Sequence, residues 1–150
     1  MQEKLAATET VPVADALRPI LLRVGRELRR EARAEGISPE QVSLLVAIKY
    51  TPGIGARELA AHERISAPAM TKHVDRLERD GLVARTPSAD DKRRIGLTLT
   101  EEGQRVLRRV RSRRTAWLAT RLRALTPDEL SAVEAAIEPL SRLLKQDENH

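Results

Sequence analysis

From Val13 to Leu28 the apolar side chains Val13, Leu17, Ile20, Leu21, Val24 and Leu28 recur every three or four residues. Arginines 18, 23, 26, 29 and 30 fill the gaps, which is the signature of a one-faced helix. Pro19 falls inside that pattern, as a kink or as the true helix start, and Gly36 ends it. Residues 1–9 lack the pattern and read as a flexible arm. Ser38-Pro39-Glu40-Gln41 is a capping box with proline at the first helical position, so a second helix runs from there to Tyr50. Thr51-Pro52-Gly53 stops it, and "ARELAAH" forms a brief third helix with Leu59 and Ala60 turned inward.

Residues 66–79, "SAPAMTKHVDRLER", carry two distinct faces. Ser66 is a good N-cap and Pro68 falls in the first turn, where a missing N–H is harmless. At about 100° per residue Met70, Val74 and Leu77 share one side, while Pro68, Lys72, Asp75 and Arg79 point away, flanked by Thr71 and Arg76. Gly81 supplies the C-terminal cap, and the period then changes from 3.6 to 2. Leu82-Val83-Ala84-Arg85 reads as a strand, residues 87–93 as a polar hairpin tip, and Ile95, Leu97 and Leu99 as the returning strand.

Thr100 caps a long, arginine-rich helix ending near Leu122. Thr126-Pro127-Asp128-Glu129 starts the last one, whose Leu130, Val133, Ile137, Leu140 and Leu144 form a 3-4-3-4 seam interrupted by Pro139. The fold class is therefore mainly α with a small β-hairpin wing. A winged helix-turn-helix (residues 36–100) lies between N-terminal (10–35) and C-terminal (101–146) helices.

Composition narrows the partner. The formal net charge of +5 and a pI near 10.2 point to a polyanion. Tyr50 and Trp117 are the only aromatic residues, too few for the stacking platform that grips single strands, so duplex DNA is the expected ligand. The chain has no cysteine, which excludes thiolate metal sites and thiol chemistry. No apolar run is long enough to span a bilayer, and the N-terminus does not read as a signal peptide, so no membrane partner is expected and the cytoplasm is the expected compartment.

A helix entering the major groove needs a basic face for DNA and an apolar face for its scaffold. Residues 66–79 offer both: Ser66 and Thr71 for phosphates or base edges, Lys72 and Arg76 for phosphates or guanine, Ala67 and Pro68 for thymine methyls. At the hairpin tip Lys92, Arg93 and Arg94 are consecutive; a protruding arginine suits the narrow minor groove, with Asp91 orienting Arg93 through a charge-assisted bond.

These residues resemble the MarR (multiple antibiotic resistance regulator) family. "GLVAR…DDKRRIGLTLTEEG" is similar to that family's wing at Asp91, Arg93, Leu97, Leu99, Thr100 and Gly103, and "ARELAAHERISAPAMTKHVDRLERDGLV" to its helix-turn-helix. The resemblance spans about residues 10–145. It implies a homodimer with interlocked terminal helices, with Leu17 and Leu21 meeting Leu130, Val133, Ile137, Leu140 and Leu144 at the interface. It also implies a pseudo-palindromic operator, usually repression, and release by a small aromatic or phenolic ligand in a cleft that has no signature here. Arg64 stands where many members have a turn glycine, and Gly96 replaces a branched apolar residue, which suggests a bulge.

Competing readings are weaker. His62 and His73, with Glu63 and Asp75 nearby, match no compact ligand spacing, so no metal is expected. Trp117 fits core or dimer interface better than a ligand pocket. No phosphate loop or nucleophile–base arrangement is present, so neither an enzyme nor a cofactor is expected. The remaining alternative is a winged-helix architectural or protein-interaction module without effector control, which would lack sequence preference.

Overall fold

A computed structural model describes residues 2–87, 91 and 93–145, with side chains from residue 9 onward. Its elements in chain order are α1 (Gln2–Arg33), α2 (Pro39–Tyr50), α3 (Ala56–Glu63), α4 (Ala67–Arg79), β1 (Val83–Pro87), β2 (Ile95–Leu99), α5 (Glu101–Leu122) and α6 (Pro127–Lys145). The chain forms two compact units, Met1–Arg113 and Arg114–His150.

The largest departure from the periodicity is α1. It starts at Gln2 rather than after a loose arm, and it continues through Pro12 and Pro19. Residues 2–7 are mostly strong helix formers, so propensity carries a stretch that has no apolar stripe. Both prolines are exposed, where water can satisfy the carbonyls that lose an N–H partner. Pro139 likewise leaves α6 as one helix.

The core of the first unit gathers around α2 and α4. Leu44, Leu45 and Ile48 of α2 meet Leu59 of α3, Met70, Val74 and Leu77 of α4, Val83 and Leu97 of the hairpin, and Val106, Leu107 and Val110 of α5. Burying a side chain of this size contributes about 1.5–3 kcal/mol. α2 buries Val42, Leu44, Leu45 and Ile48 while Glu40, Ser43, Val46 and Lys49 stay exposed, and its buried Gln41 completes the capping box. Gln41 N–H donates to Ser38 Oγ (3.1 Å), and Ser38 N–H donates to Gln41 Oε1 (3.2 Å).

Strands β1 and β2 pair antiparallel, residue for residue, from Val83 opposite Leu99 to Pro87 opposite Ile95. Thr86 faces Gly96 directly, so Gly96 makes no bulge. It is glycine for a different reason: a Cβ there would collide with the Gly53 backbone. That close approach lets the free edge of β2 pair with the preceding turn, Gly53 N–H to Leu97 O and Leu97 N–H to Ile54 O, both 2.8 Å.

The exit from the hairpin is equally tight. Thr100 Oγ1 accepts from Gly103 N–H (3.0 Å), capping α5, and donates to the Gly81 carbonyl (2.5 Å) at the end of α4. Gly103 packs so closely on the Leu82 carbonyl that a side chain would collide with it.

In the second unit, Thr126 N–H donates to Glu129 Oε1 (3.0 Å) and Glu129 N–H donates to Thr126 Oγ1 (3.2 Å), the expected capping box. Hydrogen bonding of the Glu129 carboxyl to the Thr126 backbone, and then to its side chain, holds that carboxyl below its ordinary range. None of the α6 residues is buried. No described helix is long and apolar enough to cross a membrane.

Candidate nucleic-acid interface

Helix α4 is built to present one face outward. Ser66 Oγ accepts from Ala69 N–H (3.3 Å), fixing the first turn. At the other end Gly81, at φ +75°, lets Gly81 N–H reach Glu78 O (3.0 Å) and Leu82 N–H reach Leu77 O (2.9 Å). These two bonds close the helix and turn the chain directly into β1. A strand follows at once because Leu82 and Val83 are needed in the same core as Leu77.

The turn before α4 is sharper than its sequence suggests. Arg64 adopts a left-handed conformation, φ 54° and ψ 44°, and closes α3 with bonds from Ile65 N–H to Ala60 O (2.9 Å) and Arg64 N–H to Ala61 O (3.3 Å). The backbone therefore does here what a glycine does without steric cost.

With Met70, Val74 and Leu77 buried, the residues singled out for DNA contact all lie exposed: Ser66, Ala67, Pro68, Thr71, Lys72 and Arg76. Thr71 donates its hydroxyl hydrogen to the Ala67 carbonyl (3.0 Å), leaving its oxygen as an acceptor. Ser66, used as an acceptor by the cap, keeps its O–H as a donor. Arg76 sits 4.0 Å from Asp80, a loose contact between exposed groups. Among the described residues, Lys72 and Arg79 have no carboxylate within ion-pair distance, so their charge faces solvent uncompensated.

On the hairpin, Arg93 and Arg94 are exposed, and Lys92 lies outside the described residues. Asp91 does hold Arg93, but through its backbone: Arg93 N–H donates to Asp91 Oδ1 (3.0 Å) and Arg94 N–H to the Asp91 carbonyl (3.0 Å). The carboxylate shapes the turn, and the Arg93 side chain is exposed with no carboxylate partner among the described residues.

One constellation was not anticipated. Arg85, third residue of β1, donates through Nη2 to Asp75 Oδ1 (2.7 Å) and through Nε to Glu78 Oε2 (3.0 Å). The pairing joins residues seven and ten positions apart across a turn. Neither helical nor strand periodicity flags such spacings; the only sequence signal is a lone arginine at the outward end of a strand.

Other candidate groups do not assemble into a site. His62 approaches Glu63 (3.4 Å), and no cluster of three potential metal ligands exists among the described residues. Trp117 is half-buried, with the Arg121 guanidinium 3.6 Å from its ring centre.

A capped helix with a free cationic face, entered by a tight turn and followed immediately by an arginine-tipped hairpin, is the apparatus of a winged helix-turn-helix DNA-binding protein. The comparisons agree. The MarR family model matches residues 37–95. The HTH-type transcriptional repressor Rv2887 of Mycobacterium tuberculosis is 30% identical over 125 residues, covering 81% of this chain and 90% of that protein. The HTH-type transcriptional repressor MdtR of Bacillus subtilis is 29% identical over 133 residues, 89% of this chain and 86% of that one. A putative transcriptional regulator from Pseudomonas aeruginosa, solved by crystallography, superposes with a TM-score of 0.77 at 32% identity, covering 92% of this chain and 96% of that one. The chain belongs to the MarR family, whose members are non-enzymatic transcriptional regulators.

Proposed function

We propose that this protein is a homodimeric repressor that binds a pseudo-palindromic duplex operator and is released by a small aromatic or phenolic effector. The observation that carries the reading is the exposed face of α4, where Lys72 and Arg79 have no carboxylate partner among the described residues, beside a hairpin on which Arg93 is exposed next to a turn shaped by Asp91. In this mechanism each protomer lays α4 in the major groove. Lys72 and Arg76 meet phosphate oxygens or guanine acceptors, the Ser66 hydroxyl donates to a phosphate, and the Thr71 oxygen accepts from a base amino group. Ala67 and Pro68 offer apolar surface to thymine methyls. Arg93, with Lys92 and Arg94 beside it, enters the adjacent minor groove. Phosphate contacts supply most of the affinity, which falls steeply with salt, and base contacts supply selectivity.

The dimer reading is supported by apolar side chains that the single chain leaves uncovered. On α6, Leu130, Val133, Ile137 and Leu144 are exposed and Leu140 is half-buried. On α1, Ile20, Leu21 and Leu22 are exposed and Leu17 is half-buried. Surfaces of this kind seek a partner, and a second copy brings the same stripes. Two copies present two reading helices, so half-sites lie about one helical turn, ~10 bp, apart. Repression is supported by the named functions of the relatives, and effector release by kinship. A repressor works where its operator duplex is, so the cytoplasm is the compartment this reading calls for. Release follows if the effector binds better to a spacing of the two reading heads that does not fit the operator.

Selection of bound duplexes from a random pool tests this. The expected outcome is convergence on one inverted repeat, preferred over random duplex by ~10³-fold or more, and lost when a benzoate-type or phenolic ligand is added. Recovery of duplexes with no shared sequence would overturn the repressor reading in favour of an architectural module.

A further inference from the structure

Arg85 has no part in the DNA contacts above, yet it joins the two pieces that make them. Val83 and Arg85 stand on the same side of β1, two residues apart. Val83 enters the core, and Arg85, one pleat further out, reaches the flank of α4 where Asp75 and Glu78 lie. Its guanidinium uses separate N–H groups for the two carboxylates, so both its position and its plane are fixed. Beyond Arg85 the strand runs out along the hairpin, with Thr86 and Pro87 pairing across to Gly96 and Ile95.

We propose that Arg85 is a positioning residue for operator recognition: it fastens the wing to the reading helix and so fixes the separation at which major-groove and minor-groove contacts are made. The proposal rests on the DNA-binding reading above. A second consequence has the same cause. Asp75 lies among Lys72, Arg76 and Arg79 on the outward side of α4, where a bare carboxylate would repel phosphate, and Arg85 neutralises it.

A flexible wing must search for the minor groove after α4 has docked, and the Arg93 contact is then weakened by the ordering it requires. A wing held in place makes the same contact without that loss. The effect of removing Arg93 should therefore depend on Arg85. The pair at Arg85 is exposed to solvent, and ion pairs of that kind contribute little to folding, so its loss should leave the domain folded.

The experiment measures affinity for the selected operator by fluorescence anisotropy at one salt concentration, using dimers of the wild type, Arg85→Ala, Arg93→Ala and the double variant. Arg93→Ala is expected to weaken binding ~10-fold in the wild type but less than ~3-fold in the Arg85→Ala background. Equal losses in both backgrounds would overturn the proposal. Adding Asp75→Asn and Glu78→Gln to Arg85→Ala separates positioning from charge masking. Affinity for random duplex should recover while the Arg93 effect stays small. If the full Arg93 effect returns, charge masking alone explains Arg85 and the positioning role fails. Arg85→Lys, which keeps the charge but not the fork, should fall between wild type and Arg85→Ala and serves if the alanine variant does not fold. A wild type that binds no duplex at all would instead defeat the DNA-binding reading itself.

Discussion

Helices α4 and α6 are written in the same code and end in opposite circumstances. Each carries an apolar stripe at 3-4 spacing and a charged opposite side. In α4 the stripe is finished within the chain: Val74 and Leu77 have no exposed surface and Met70 has 1%. In α6 the stripe is left open, with Ile137 at 62% and Leu144 at 75% exposure. The charged sides differ too. The cations of α4 are largely free, whereas Arg142 of α6 sits 3.5 Å from Glu138. Periodicity therefore reports that a helix has an inner face, but not what that face packs against. For α4 the answer is α3 and the hairpin, within one core; for α6 the proposed answer is a second copy of the chain.

That contrast can be broken in four places. Leu77→Ala, which empties a fully buried position, should cost about 2–5 kcal/mol, read as a fall in the denaturant midpoint with an unchanged slope. Leu130→Asp with Ile137→Asp should leave that midpoint nearly unmoved for the winged region but yield monomers by sedimentation, with operator affinity reduced at least ~10-fold as one of two reading heads is lost. A stable dimer of this variant would remove α6 from the interface. Lys72→Ala should lower the log–log salt slope of operator binding by about one, as expected for one lost phosphate contact, while Arg142→Ala should leave it alone. A changed preference at one base pair would instead make Lys72 a reader of bases. The smallest effect is expected of Arg64→Gly. Relief of a left-handed side chain, about 1 kcal/mol, is partly offset by the greater freedom of an unfolded glycine, leaving a gain of about 0.5 kcal/mol visible in thermal unfolding.

Local chemistry made much of this molecule legible beforehand. Ser38, Ser66, Thr100 and Thr126 each cap the helix their spacing indicates, and the alternation of Ile95, Leu97 and Leu99 marks β2. What stayed hidden depends on contacts between segments. Gly96 looked like a defect in a strand until the Gly53 backbone was seen against it. Arg85 looked like one more surface cation until α4 supplied its two partners. Helix α1 was underestimated for the reverse reason: its first residues have propensity without an apolar stripe, and its prolines argue against a helix they do not in fact end. The candidate DNA-contacting face was legible because a groove-binding helix must satisfy two different solvents at once, and that demand is written on adjacent residues.

The hydroxyl of Thr100 ties the carbonyl at the end of α4 to the first turn of α5, while its neighbour Gly103 seats α5 on Leu82. The start of α5 is thus fastened to the end of α4 by one hydroxyl, by a close backbone contact, and by Val106, Leu107 and Val110 in the shared core. On the proposed mechanism, any shift of the first turns of α5 would carry α4 with it and alter the angle at which that helix meets duplex DNA.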